Sequence, residues 1–95
     1  MRNYISIGPS PYEENCAQVG EPGYREKALE ECTRFIRLLR ETCGPEPEGA
    51  RLSVRWFPHD FGDYCEVVCS FNPESPASVE YAQRCEERAP ATWEG

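Results

Sequence analysis

Between Trp56 and Gln83 the chain has neither lysine nor arginine, although Asp60, Asp63, Glu66, Glu74 and Glu80 fall inside that window. A second stretch without a cation carries Glu41, Glu46 and Glu48. A phosphate backbone or an anionic lipid surface finds no counter-charge in either, and the whole chain repeats the bias with a formal charge of −7. Such a surface is drawn to basic partners, fastest at low salt. Other absences exclude chemistry. There is one histidine, no C-x-x-C and no glycine-rich phosphate loop. The first residues contain no apolar run of the roughly 7 residues a signal peptide needs, and nothing approaches the ~18 that span a bilayer. The expectation is a cytoplasmic protein with no membrane contact, no cofactor and no direct nucleic-acid contact.

What is present is enough for one small domain, residues 1–95. A chain of 95 residues buries roughly 60–65% of its unfolded surface. Charged residues make up 28% and the apolar set 39%, which folds but leaves a modest core. The six cysteines, at 16, 32, 43, 65, 69 and 85, permit about 15 disulfide connectivities. A reducing compartment makes buried free thiols the expectation, with Cys acting as a small apolar side chain.

Periodicity orders the chain. Ile5 and Ile7 alternate with Tyr4 and Ser6 as a short strand that Gly8-Pro9 ends. A long Pro/Gly-bearing loop, 8–23, follows, of the length that functional or mobile loops have. From Tyr24 to Cys43, the residues Tyr24, Ala28, Cys32, Phe35, Ile36, Leu39 and Cys43 share an arc of ~120°, an amphipathic helix. Glu30 to Arg34 and Arg37 to Glu41 are i,i+4 pairs on its outer side, and Gly44-Pro45 stops it. An acidic, Pro-rich linker, 44–50, leads to two alternating runs. Leu52, Val54 and Trp56 share one face of the first, and Cys65, Val67, Cys69 and Phe71 share one face of the second. The short turn-rich Pro58–Asp63 segment makes the pair a β-hairpin. Ser75 as N-cap and Pro76 at the first helical position open a second helix, expected to stop at Ala89-Pro90 before a tail, 89–95. The order is β-α-β-β-α. Its expected fold is α+β, a two-layer sandwich of a three-stranded sheet with two helices on one face, the first strand running parallel to one member of the hairpin.

Catalytic candidates are few. His59 lies in a turn, and the nearest thiol, Cys65, alternates toward the core, so a Cys-His dyad lacks its geometry. Cys65 and Cys69 are roughly 13 Å apart along a strand, too far for one zinc. Cys32 and Cys43 lie about 16 Å apart along a helix. Asp60-Phe61-Gly62 spells a kinase magnesium triplet, but the chain lacks the rest of that machinery, and the turn chemistry of Asp and Gly accounts for it. Asp60 and Asp63 share a turn, with no pocket to separate their pKa values. Arg51 and Arg55 are the one cation pair on the outer strand face.

The surface carries the remaining reading. Asp60, Asp63 and Phe61 in the hairpin turn, Glu46 and Glu48 in the linker, and Glu13 and Glu14 in the long loop are the expected partner-binding residues. An ordinary solvated acidic surface has the same composition.

Pro47-Glu48-Gly49-Ala50-Arg51-Leu52, Phe57-Pro58-His59-Asp60-Phe61-Gly62-Asp63-Tyr64, and Glu80-Tyr81-Ala82 with Arg84-Cys85-Glu86 resemble a group of short uncharacterised proteins of phages and bacterial mobile elements. In size and charge the chain is similar to anti-CRISPR inhibitors. The resemblance implies a non-enzymatic protein in a bacterial host cell that inhibits a CRISPR effector or another nucleic-acid-binding defence complex. It assigns no catalytic residue. Two other readings stand beside it: a small accessory enzyme or thiol-dependent module using His59 with Cys16 or Cys65, and a self-associating structural protein, such as a homodimer, that pairs through its open sheet face or an edge strand.

Overall fold

The computed structural model describes residues 3–8, 23–58 and 63–94, the last four by their backbone alone. Five elements follow in the expected order: β1 (Tyr4–Gly8), α1 (Tyr24–Cys43), β2 (Arg51–Phe57), β3 (Tyr64–Ser70) and α2 (Pro76–Glu94). The strands form one sheet in the order β1-β3-β2. The hairpin pairs Arg51 with Ser70 through to Phe57 with Tyr64. β1 pairs antiparallel with β3, Tyr4 opposite Ser70 and Gly8 opposite Val67, with a bulge between Ser6 and Gly8. β1 therefore runs in the direction of β2, as expected, but β3 lies between them.

Both helices cover one face. Cys32, Phe35, Leu39 and Cys43 of α1 and Tyr81, Ala82, Cys85 and Ala89 of α2 meet Leu52, Cys65, Val67 and Cys69 of the sheet in one core. Ile5, Ile7, Val54 and Trp56 pack against its edges. Those of α1 and the sheet are the residues the period-3.6 and period-2 patterns mark, since each apolar face has only the facing layer in which to leave water; Tyr81 and Ala89 of α2 join them without having been marked.

The ends of the elements follow local chemistry. Gly44, at φ 86°, ends α1, a conformation in which a side chain would clash with the backbone. Ser75 caps α2 by accepting from the Ser78 N–H at 3.4 Å. Buried Ser78 donates to the Asn72 carbonyl at 2.9 Å and accepts from the Asn72 N–H at 3.0 Å, fastening the end of β3 to the start of α2.

One expected boundary is corrected. α2 does not stop at Ala89-Pro90 but continues to Glu94 with Pro90 inside it. Pro90 is solvent-exposed. The carbonyl its missing N–H leaves unpaired belongs to Glu86, which is also exposed, so water can take the place of the lost bond.

Candidate functional site

Of the seven expected binding residues, Asp63, Glu46 and Glu48 are described, and Glu13, Glu14, Asp60 and Phe61 lie outside the described residues. The three do not converge. Asp63 adjoins the hairpin end of the sheet, where Arg25 of α1 donates to it at 3.3 Å while lying 4.2 Å over the Trp56 ring. Glu46 and Glu48 belong to the opposite end, one strand length or about 20 Å away.

Glu46 serves the fold. Only 17% of its side chain is exposed, Arg40 donates to Oε1 at 2.9 Å, and the Leu52 N–H donates to the same oxygen at 3.4 Å. Partial burial alone would push this carboxyl up. The hydrogen bonds from Arg40 and the backbone outweigh it and hold Glu46 below its ordinary value. The carboxylate thus joins the end of α1 to the start of β2. Glu48 is exposed.

The charge that points outward without such duties lies elsewhere. Residues 23–58 carry Arg25, Lys27, Arg34, Arg37, Arg40, Arg51 and Arg55 against Glu26, Glu30, Glu31, Glu41, Glu46 and Glu48, a net of +1. Residues 63–94 carry Arg84 and Arg88 against Asp63, Glu66, Glu74, Glu80, Glu86, Glu87 and Glu94, a net of −5. Both arginines lean toward α1. Arg88 donates to the Thr42 carbonyl at 2.9 Å and Arg84 to the Cys43 carbonyl at 3.5 Å, at the negative end of that helix. Tyr81 Oη donates to the Gly44 carbonyl at 2.7 Å beside them. What α2 leaves outward is Glu80, Gln83, Glu86 and Glu87, all exposed. Only Glu80 of these has an ion-pair partner among the described residues, Arg84 at 3.3 Å. Sequence reasoning passed over these four residues because Arg84 and Arg88 stand among them. Their i,i+3, i+4 and i+7 spacing is the signal that separates the faces.

The open face of the sheet is capped by its own side chains. Arg55 reaches across β3 to lie 4.4 Å from the Tyr4 ring and 5.6 Å from the Phe57 ring, and Phe57 stacks on Tyr64 at 5.4 Å. Val68, on that face, is only 3% exposed. Ser6 donates to Glu66 Oε2 alongside. Among the described residues the exposed large hydrophobic side chain is Leu29, on α1. The open face, one of the two surfaces named above for self-association, is thus polar and aromatic.

The five described cysteines are free and buried. Among the described residues no group of three or more His, Cys, Asp or Glu is placed to hold a metal ion. His59 and Cys16 lie outside them, while Cys65 is 3% exposed. No described helix is long and apolar enough to cross a membrane.

Comparisons with family models, curated proteins and solved structures return no match. The resemblance to short phage proteins gains nothing from them.

Proposed function

We propose that this protein is a non-enzymatic binding module that engages a basic protein surface, of the kind that nucleic-acid-handling proteins present to phosphates, through the outer face of α2. The observation that carries the reading is the division of charge: residues 63–94 hold a net of −5, and of their two arginines Arg88 is turned to an α1 carbonyl while Arg84 is shared between an α1 carbonyl and Glu80. Glu80 and Glu87 stand two helical turns apart, about 10 Å, on a face whose other exposed members are Gln83 and Glu86. A rigid row of carboxylates on a helix offers an anionic edge that costs little to order on binding. Occupying a phosphate-binding groove in this way excludes nucleic acid from it, so inhibition is the expected consequence. A host defence complex as the owner of that groove rests on the resemblance alone.

The test compares wild-type protein, Glu80→Lys/Glu87→Lys and Asp63→Lys as baits in a bacterial lysate at low and moderate salt, followed by elution with duplex DNA. A nucleic-acid-binding protein held by the wild type, released by DNA and by salt, and lost at least tenfold in the α2 variant bears the proposal out. Retention that the α2 reversal leaves unchanged overturns it, and loss confined to Asp63→Lys returns the site to the hairpin end.

A further inference from the structure

Two thiols that the proposed binding surface does not use face each other between layers. Cys32 on α1 and Cys65 on β3 bring their sulfurs to 3.6 Å, with 1% and 3% of the residues exposed. The Cys32 thiol also lies 4.0 Å from the Cys65 carbonyl. A disulfide needs sulfurs at about 2.05 Å, so side-chain rotations closing roughly 1.5 Å separate contact from bond. Cys43, Cys69 and Cys85 form the other group of buried described thiols in the core, and the close thiol–thiol contact is that of Cys32 with Cys65.

We infer that Cys32 and Cys65 form an oxidisable dithiol site, at which a small disulfide closes a cross-link between α1 and β3 without repacking the fold. The position of Cys65 gives the order of events. It is the second residue of β3 and sits opposite Trp56, beside the hairpin end, and strand ends open locally at lower cost than a core does. The contact with the Cys32 thiol, in which either sulfur can donate, holds the Cys65 thiol below its ordinary value; burial opposes this and the nearby Arg25 guanidinium adds to it. Cys65 is accordingly the first nucleophile. Its thiolate attacks one sulfur of a small disulfide such as oxidised glutathione, forming a mixed disulfide and expelling one small thiolate. The Cys32 thiolate then attacks the Cys65 Sγ, forming the Sγ–Sγ bond and expelling the second. The two cysteines are oxidised, the small disulfide is reduced to two thiols, and the two cysteine protons end on those thiols. The link spans 33 residues of chain, so it restricts the unfolded ensemble appreciably.

The folded wild-type protein incubated with oxidised glutathione, alkylated and digested with trypsin without reductant tests this. The expected result is the loss of two alkylatable thiols and a mass lower by two hydrogens. Peptide 28–34, which holds Cys32, should be joined to peptide 56–84, with fragmentation placing the link at Cys65 and not Cys69. The Tm should rise by roughly 10 °C and return when dithiothreitol is added. Cys69→Ser should keep the link and Cys65→Ser lose it, and the fragment spectrum of the wild type decides the matter if Cys65→Ser does not fold. Thiols that all remain alkylatable, a product that stops at the glutathione adduct, or a link joining other cysteines overturns the inference.

Discussion

The two helices lie on the same face of the same sheet and hold to it by different means. α1 inserts Phe35 and Leu39, at 1% and 0% exposure, among the largest side chains of the core. α2 faces the sheet mostly with small ones, Ser78, Ala82, Cys85 and Ala89, all buried, and is fixed by polar links at defined points: the Ser75 cap, the Ser78–Asn72 clip, and Tyr81, Arg84 and Arg88 on the last carbonyls of α1. Their outer faces differ as well. The charges of α1 are of both signs in near balance, while those of α2 leave a row of glutamates. A helix oriented by polar clamps can carry an unbalanced outer surface, because its place does not depend on that surface. We read α1 as the element that supplies burial energy and α2 as the one that presents charge.

The largest expected effect tests the α1 side. Phe35→Ala removes the ring that spans α1 and the sheet and should cost about 3–5 kcal/mol, enough to unfold most of a domain this small, as seen in a urea titration. An effect under about 1 kcal/mol would remove the distinction between the helices. Next in size is the clamp on α2. Tyr81→Phe deletes the 2.7 Å bond to the Gly44 carbonyl and keeps the ring, so it should cost about 1 kcal/mol and speed amide exchange at the α1–α2 contact. The smallest effect is one of pH. Burial, and then the Cys85 thiol, push Cys43 from its ordinary value near 9 up to about 11. In the unfolded chain this thiol ionises first, so its contribution is complete below about pH 9 and is lost as pH rises toward about 11. Cys43→Ala should flatten that part of the alkaline stability profile; an unchanged slope assigns the loss to other groups.

Much of the fold was legible from periodicity. The faces of α1, β2 and β3 follow from alternation at 3.6 and 2 residues, since those spacings fix which side chains leave water together. Ser75-Pro76 marked the start of α2 because capping is a contact between neighbours in sequence. Its end was not legible in the same way: Pro90 reads as a stop, yet at a solvent-facing position its missing hydrogen bond is tolerated. The candidate site was less legible than the fold. Glu46 and Asp63 look alike in sequence, but one is a partly buried staple on Arg40 and Leu52 and the other pairs with Arg25 about 20 Å away.

The sequence by itself determined the element order, the inward faces, the helix cap and the surplus of acid, all properties of residues close together along the chain. The tertiary structure alone decided that β3 separates β1 from β2. It also set Arg84 and Arg88 against the carbonyls of α1 and brought Cys32 to within 3.6 Å of Cys65. Each of those outcomes joins residues more than 30 positions apart, and such contacts depend on how whole layers pack, which no local pattern encodes.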